Sequence, residues 1–317
     1  MNNRYEETEF LKNESLLSPI PRVAAIHDIS CIGRCALTVI IPVLSALGIQ
    51  TVPLPTALLS THTGGFENMF FKDLTHYMRG ISEHWKTIDA DFDAIYSGFL
   101  GSEEQIDMLL SFIRDFSHKN DGKKAFIAVD PVMGDDGELY STYTSELVLG
   151  MKRLCVGADL ITPNLTEACF LMDREMPRGI LTEKEADDFS GELAKDLLGK
   201  FGCERIVITG ILNSDSEGQL KVMNTMLEKK GGDCRVSFCN LPHIERSYPG
   251  TGDVFASVVL GTMLLGADFE NATQIASGFV CEATHFSERF ATHLRDGLVI
   301  EPCLGTLTNV ASSLKKY

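Results

Sequence analysis

The stretch Gly250-Thr251-Gly252-Asp253 contains the residue types needed to build a phosphate site beside an acid–base group. Its glycines disfavour a regular helix up to this point, and the apolar run 254–265 favours a helix directly after it. Amides at a helix N-terminus lack intrahelical partners and carry partial positive charge, so they can bind an anion. Asp253 would then accept the proton of a hydroxyl that attacks a terminal phosphate. The alternative is that Asp253 only caps the helix.

Further oxygen-bearing side chains follow other predicted strands. Asp130 and Asp135 lie in one loop, and Asn164 and Glu167 lie at the start of a predicted helix. With bound phosphate, such oxygens can organise Mg²⁺, which prefers one or two carboxylates together with waters and phosphate oxygens. The alternative is that each is a turn residue or a cap. His27 and His62 have no accompanying Ser/His/Asp spacing, and we expect polar positioning roles for both.

These residues require a fold that brings strand ends together. Apolar strand patterns, each followed by polar residues, alternate with helical patterns, which predicts an α/β fold with a mostly parallel sheet and helices on both faces. The predicted strands are 22–27, 50–55, 92–98, 125–130, 159–162 and 205–210, with a weaker antiparallel ribbon at 222–226 and 234–239. The predicted helices are 36–47, 103–116, 183–199 and 269–286, with closing helices from Leu294 onward.

We expect one α/β domain, 21–317, preceded by a flexible extension, 1–20, that lacks periodicity. The segment 58–66 is interpreted as a polar, glycine-bearing loop at a strand end, where α/β folds bind ligands. The segment 138–145 is interpreted as a soft polar connection.

Composition excludes several classes of function. The formal net charge of −16 argues against a nucleic-acid binder or an anionic-membrane binder, because both need clustered Lys and Arg. The nine cysteines include no Cys-x-x-Cys pair and no zinc spacing, so they are interpreted as reduced residues of a cytoplasmic protein. The longest apolar runs are too short or too interrupted to span a bilayer. We expect small-molecule partners.

Five motifs give the chain a specific resemblance. In their order they resemble those of the pyridoxal kinases, within the ribokinase-like superfamily, and the likeness runs from about Arg22 to about Thr284. The first two motifs point more narrowly to pyridoxal kinases, and the last two are shared with vitamin and sugar kinases generally. The motifs are Thr61-His-Thr-Gly-Gly65, Ser97-Gly-Phe-Leu-Gly-Ser102, Asp130-Pro-Val-Met-Gly134, Thr162-Pro-Asn-Leu-Thr-Glu167 and Gly250-Thr-Gly-Asp253.

The resemblance implies ATP-dependent phosphorylation of the 5′-hydroxymethyl group of pyridoxal, pyridoxine or pyridoxamine. It also implies that the enzyme requires Mg²⁺ and a monovalent cation such as K⁺, that residues 134–145 form a flexible cover over ATP, and that the protein is a homodimer. The implied residue roles are the base, Asp253; the anion hole, Gly250, Thr251 and Gly252; a ring contact, Thr63; positions around the metal and nucleotide phosphates, Asp130, Asp135, Asn164 and Glu167; the monovalent cation, Thr162; and the nucleotide-side strand end, Thr209 and Gly210.

The chain departs from the family pattern at Asp28, where many members have serine beside the substrate ring. An ionised aspartate can only accept hydrogen bonds, so Asp28 would favour a protonated ring nitrogen. The alternative is that Asp28 caps the helix beginning near Arg34, or pairs with Arg34. The N-terminal extension is also longer than usual, and the connection 172–184 is unfamiliar.

Two rival functions remain open at this point. A hydroxymethylpyrimidine kinase shares the fold and the Gly-Thr-Gly-Asp loop, and differs in the loops that face the ring. A catalytically idle vitamin-binding or regulatory protein would have no obvious use for Asp253 and its anion loop.

Overall fold

The computed structural model describes residues 20–290 and 293–314, so the predicted extension lies almost entirely outside the described residues. The strands are β1 (Arg22–Ile26), β2 (Ile29–Ile32), β3 (Gln50–Pro53), β4 (Ala57–Thr61), β5 (Phe71–Asp73), β6 (Ala94–Ser97), β7 (Phe126–Val129), β8 (Gly134–Asp135), β9 (Glu138–Leu139), β10 (Leu160–Ile161), β11 (Leu181–Thr182), β12 (Arg205–Ser214), β13 (Leu220–Lys230) and β14 (Asp233–Pro242).

The helices match the predicted positions closely where the apolar periodicity is strong. They are α1 (Leu37–Ala46), α2 (Thr75–Thr87), α3 (Glu103–Phe116), α4 (Ser145–Cys155), α5 (Leu165–Met172), α6 (Glu183–Phe201), α7 (Thr251–Leu264), α8 (Phe269–Arg289) and α9 (Leu304–Leu314), with 3₁₀ turns at Leu294–Asp296 and Glu301–Cys303. Two helices, α2 and α4, have no counterpart among the predictions.

The central sheet has nine strands in the order β14-β13-β12-β10-β7-β6-β1-β3, with β11 beside β12. The six strands from β12 to β3 pair in parallel, and β13 and β14 add an antiparallel ribbon at one side. Because the parallel strands run in one direction, their carboxyl ends all reach the same edge of the sheet. The predicted mostly parallel sheet and its ribbon are confirmed.

Each face of the sheet is covered by its own hydrophobic core. Successive residues of β1 show the alternation, since Val23 and Ala25 belong to one core and Ala24 and Ile26 to the other. Helices α2 to α6 pack on the face of Ala24, and α1, α7, α8 and α9 pack on the opposite face. Helix α7 is buried continuously from Val254 to Thr262, as an apolar helix of mostly small residues at the centre of a layer should be.

Two small sheets stand outside the central one. Strands β2, β4 and β5 form a three-stranded sheet, and β8 and β9 form a hairpin. The interpretation of 58–66 as a loop was therefore wrong for its first part, because residues 57–61 pair with β2 and β5. The segment 138–145, which was interpreted as a soft polar connection, likewise contains a strand and a buried tyrosine, Tyr143. No helix among the described residues is long and apolar enough to cross a membrane.

Candidate active site

The carboxyl ends of the parallel strands place several predicted residues along one edge of the central sheet. Backbone hydrogen bonds connect neighbouring ends, with Asp130 N–H donating to Ser97 O at 2.8 Å and Thr162 N–H donating to Val129 O at 3.2 Å. Beyond β10, Thr209 N–H donates to Pro163 O at 2.9 Å. The structure therefore brings Asp130, Thr162 and Thr209 to the same edge, as the strand patterns predicted.

Gly250 starts α7 in a conformation that no other residue would accept there. Its φ is 86°, and a Cβ on it would lie 2.0 Å from the carbonyl oxygen of Arg34. Thr251 and Gly252 form the first turn of the helix, where amides have no intrahelical partner. A Cβ on Gly252 would meet no atom within 4 Å, so this side of the turn is open. The geometry suits an anion, as the motif predicted.

Asp253 is the third residue of α7, and its carboxylate reaches across to other elements. Oδ2 accepts a hydrogen bond from Ala36 N–H at 2.8 Å, just before α1, and Oδ1 lies 3.9 Å from Nδ1 of His27. The helix itself begins without a side-chain cap. The Asp253 side chain therefore binds the residue before α1 and does not cap α7. The interpretation of Asp253 as only a cap of its own helix was wrong.

The surroundings of Asp253 give its carboxyl group the pKa of a neutral-pH base. Burial raises its pKa from 3.8 to about 7, the Ala36 N–H opposes this shift, and the nearby charge of Asp28 adds to it. The side chain nevertheless remains 15% exposed, so a small molecule can reach it. A general base works best when its pKa lies close to the working pH.

Two more carboxylates are buried at the neighbouring strand ends. Asp130 is 5% exposed and Glu167 is 4% exposed. Burial raises the pKa of Glu167 to about 8, and burial together with the charges of Glu167 and Asp253 raises the pKa of Asp130. Within the part of the chain that the structure describes, no Lys or Arg nitrogen lies within 4.0 Å of either group. With no such cation to offset their charge, these two groups retain their protons more strongly than ordinary carboxyl groups.

Glu167 also has a structural role as part of a capping box on α5. Its Oε2 accepts from Asn164 N–H at 2.8 Å, its own N–H donates to Asn164 Oδ1 at 2.8 Å, and its Oε1 accepts from Met133 N–H at 3.0 Å. The interpretation of Asn164 and Glu167 as helix-capping residues is therefore correct. Capping does not prevent either residue from also binding a ligand. The side chain of Asn164 additionally donates to Gly134 O at 2.8 Å, which anchors the β8–β9 hairpin.

The remaining predicted metal residues are less closely grouped. Asp135 is exposed on the hairpin, and its Oδ1 accepts from Asp136 N–H at 3.0 Å. The Thr162 hydroxyl is buried without a hydrogen-bond partner, although it lies near enough to Asp130 to lower the pKa of that carboxyl in part. Across residues 20–290 and 293–314, no three His, Cys, Asp or Glu side chains are arranged to hold a metal ion.

The nucleotide-side strand end depends on a residue that sequence reasoning missed. A register shift in β12 between Ile208 and Ile211 displaces Thr209 and Gly210, and Gly210 adopts a φ of 75°. The Gly210 N–H donates to Asn224 Oδ1 at 3.3 Å. Asn224 is an interior residue of β13, and no pattern in the sequence distinguishes it.

The substrate-side loops place Asp28 and Thr63 differently. Asp28 is 7% exposed, its Oδ2 accepts from the Ser30 hydroxyl at 2.9 Å, and burial raises its pKa. Thr63 is exposed in the loop after β4. The side chain of Asp28 neither caps α1 nor pairs with Arg34, which instead pairs with Glu301 at 2.8 Å. The backbone carbonyl of Asp28 does accept from Leu37 N–H, at the start of α1, at 3.2 Å.

His62 holds the Thr63 loop in place, as its expected positioning role requires. Its Nδ1 accepts from Gly64 N–H at 3.1 Å, so Nε2 carries the proton and donates to Arg295 O at 2.5 Å. The ring lies against Gly33, where a Cβ would be 2.3 Å from it. The loop after β4, the loop before α1 and the segment around Arg295 therefore meet beside the predicted ring site.

Comparisons with known proteins agree with this arrangement. The phosphomethylpyrimidine kinase family model matches residues 41–296. The crystal structure of a Bacteroides thetaiotaomicron protein assigned to the phosphomethylpyrimidine kinases is 35% identical in sequence, with a TM-score of 0.82, and the match covers 92% of this chain and 96% of that one. A second crystal form of that description, 34% identical with a TM-score of 0.81 and the same coverage, contains pyridoxal.

Pyridoxal kinases are also among the similar proteins. The Lactobacillus plantarum enzyme has a TM-score of 0.80 at 25% identity, covering 93% of this chain and 99% of that one. The Dictyostelium discoideum enzyme is 24% identical over 249 residues, which are 76% of this chain and 78% of that protein. The chain belongs to the phosphomethylpyrimidine kinase family, and its resemblance to the pyridoxal kinases is confirmed: it is an ATP-dependent small-molecule kinase with the ribokinase-like fold.

Proposed function

We propose that the protein transfers the terminal phosphoryl group of ATP to the 5′-hydroxymethyl group of pyridoxal, pyridoxine or pyridoxamine. The observation that carries the proposal is Asp253, an accessible carboxylate with a pKa of about 7 at the open N-terminus of α7. The relative whose crystal form contains pyridoxal supports the substrate class. The motifs at 61–65 and 97–102 support it independently.

In this mechanism, Asp253 accepts the proton of the substrate hydroxyl as its oxygen attacks the terminal phosphorus. The new oxygen–phosphorus bond forms, the bond from that phosphorus to the bridging oxygen breaks, and ADP leaves. The amides of Thr251 and Gly252 donate to the charge that develops on the transferred group. Ala36 N–H keeps one carboxylate oxygen of Asp253 in place during the transfer.

The residues fit a divalent cation at the phosphates. Asp130 and Glu167 are buried carboxyl groups without a nearby Lys or Arg among the described residues, and Asp135, exposed on the hairpin, is near enough for its charge to raise the pKa of Glu167. Mg²⁺ bound there would neutralise phosphate charge. We assign Thr162, whose buried hydroxyl lacks a partner, to the monovalent cation, and Asn164, Thr209 and Gly210 to the nucleotide side.

The substrate side is formed by Thr63 and Asp28. Asp28 faces the ring as an acceptor and selects a protonated pyridine nitrogen. The β8–β9 hairpin and the residues up to Ser145 close over ATP and exclude water, and the bond from Gly137 N–H to Thr166 Oγ1 at 2.9 Å anchors its turn. By family resemblance, the active form is a homodimer in the cytoplasm. Size-exclusion chromatography with light scattering tests the oligomeric state.

The experiment is a panel assay. Purified protein is incubated with Mg·ATP and each alcohol in turn, namely the three B6 vitamers, hydroxymethylpyrimidine and ribose, with and without K⁺. Phosphorylated vitamer accompanied by stoichiometric ADP supports the proposal. Phosphorylation of the pyrimidine alone would favour the second candidate, to which the name of the matched family points. ADP formation without any phosphorylated alcohol would contradict both.

A further inference from the structure

A completely buried histidine lies directly behind the base. His27 follows β1, is 0% exposed, and its ring packs edge-on against Tyr96, with ring centroids 4.3 Å apart. On its other side, a Cβ at Gly98 would lie 2.4 Å from Nδ1, so only glycine leaves room for the imidazole. The ring is thereby held in one place by β6 and the residues that follow it.

Neither ring nitrogen of His27 has a hydrogen-bond partner in good geometry among the described residues, although the backbone of Tyr96 lies close enough to raise the pKa of the imidazole in part. An unpaired buried polar group is costly, and a core would normally replace it by an apolar one. The Tyr96 hydroxyl and the Ser257 hydroxyl, one helical turn after Asp253, are also buried without a partner in good geometry, although Ser257 lies close enough to lower the pKa of Tyr96 in part. Buried polar groups with incomplete hydrogen bonds, concentrated behind the proposed base, indicate a functional reason for keeping them.

The carboxylate of the proposed base lies within 4.0 Å of the ring. Nδ1 of His27 lies 3.9 Å from Oδ1 of Asp253, about 1 Å beyond ordinary hydrogen-bond length. Catalytic hydrogen bonds are often long in the absence of substrate and shorten in the complex. The other carboxylate oxygen, Oδ2, is already held by Ala36 N–H at 2.8 Å. A bond from His27 would complete a two-point attachment.

We propose that His27 is a positioning residue, whose Nδ1–H donates to Oδ1 of Asp253 in the substrate complex and orients the carboxylate toward the substrate hydroxyl. This inference rests on the proposed function, in which Asp253 is the base. Each carboxylate oxygen accepts two hydrogen bonds, so the two attachments leave lone pairs open for the incoming proton. The Ala36 amide and the His27 ring together determine the angle at which the base meets its substrate.

The alternative role, a proton relay from Asp253 to His27, is opposed by the relative acidities. Burial, opposed in part by the nearby backbone of Tyr96, lowers the pKa of His27 to about 3, whereas the pKa of Asp253 is raised to about 7. A gap of about four units disfavours proton transfer to the imidazole by roughly 10⁴-fold. The imidazole therefore stays neutral and keeps one N–H to donate, which is the state that positioning requires.

The test compares two substitutions of equal length, His27→Gln and His27→Met. Gln retains an N–H donor and Met has none, while both relieve the tight contact with Gly98. We expect His27→Met to lower kcat by roughly 10-fold to 100-fold, with the KM for ATP changed less than about twofold, because a small misplacement of a catalytic group has effects of this size. We expect His27→Gln to recover most of the loss.

Melting temperature separates positioning from a structural role. If His27 only fills space, activity should follow stability, and Met should equal or exceed Gln in both, since it leaves no buried polar atom unpaired. Thr51→Val is the matched control, because it removes another unpartnered hydroxyl on β3, beside the opposite end of β1. It should leave kcat unchanged. Equal kcat for His27→Met and wild type, or a larger loss in Gln than in Met, would overturn the proposal.

A double-mutant cycle ties the effect to the base. In an Asp253→Asn background, His27→Met should lower the residual rate by less than about twofold, because residues that act as a unit are not additive. A full additional loss would show that His27 acts elsewhere, and would also overturn the proposal. The cycle uses whichever alcohol of the panel the wild type phosphorylates fastest. The test of His27 therefore does not depend on which alcohol is the true substrate, and an error in the proposed substrate can be told apart from an error in the role of His27.

Discussion

The pH dependence of turnover tests the environment of Asp253 most sharply. With a pKa of about 7, the carboxylate is ionised to roughly 0.9 at pH 8 and roughly 0.1 at pH 6. If only the ionised form accepts the proton, kcat/KM should fall about tenfold between these values, because kcat/KM reports the groups of the free enzyme. An aspartate at its ordinary pKa of about 3.9 would remain ionised throughout, and kcat/KM would not change. The size of the fall in rate therefore shows how far burial raises the pKa of Asp253.

The assay measures kcat/KM for pyridoxal from initial rates over a range of substrate concentrations, with phosphorylated product measured by mass spectrometry across the pH range. Asp253→Asn is the control, because nucleotide, metal and vitamer titrate identically in both proteins. We expect the variant to be slower by about 10²-fold to 10⁴-fold at pH 8, without the dependence that Asp253 contributes, and to bind ATP as tightly or more tightly. A wild-type rate that is equal at pH 6 and pH 8, or near-normal turnover in Asp253→Asn, would refute the reasoning and leave Asp253 as the anchor of Ala36.

Three further predictions concern the other carboxylates. Asp28→Ala should raise the KM for the vitamer well above any change for ATP, and Asp28→Ser should restore much of it; equal changes in both constants would exclude a ring contact. Asp135→Ala should raise the Mg²⁺ concentration needed for half-maximal rate, and an unchanged titration would remove Asp135 from the nucleotide site. The pKa of Glu167 is raised from 4.5 to about 8, so the folded state binds the extra proton and stability should fall as pH rises through this window. Calorimetry should show a smaller decline in Glu167→Gln than in wild type, and identical slopes would contradict the prediction.

Local signals in the sequence predicted the sheet edge well. Helix α3 begins and ends where predicted, because Ser102 caps it and its apolar residues keep a helical period. The strand ends were found because glycine, proline and short polar residues follow each apolar run. Each of these signals depends on residues only a few positions apart, which is why sequence reasoning could reach them.

Features that depend on distant residues were missed. Strand β4 was interpreted as loop because its polar end is compatible with either, and its pairing with β2 and β5 decides the outcome. The bond between Asp253 and Ala36 joins positions 217 residues apart. The support that Asn224 gives to Gly210 and the position of His27 behind Asp253 arise only when β13, β1 and α7 pack together.

The most direct test of the proposed activity is a competition experiment. Pyridoxal, pyridoxine, pyridoxamine and hydroxymethylpyrimidine are mixed at equal concentrations with Mg·ATP, and mass spectrometry follows each phosphate ester as it forms. The ratio of initial rates then gives the ratio of kcat/KM values. Our account predicts that the 5′-phosphates of the B6 vitamers form first and in excess, and that Asp253→Asn slows all of them together by about 10²-fold to 10⁴-fold. Faster formation of the pyrimidine phosphate, or vitamer phosphorylation at a near-normal rate in Asp253→Asn, would contradict it.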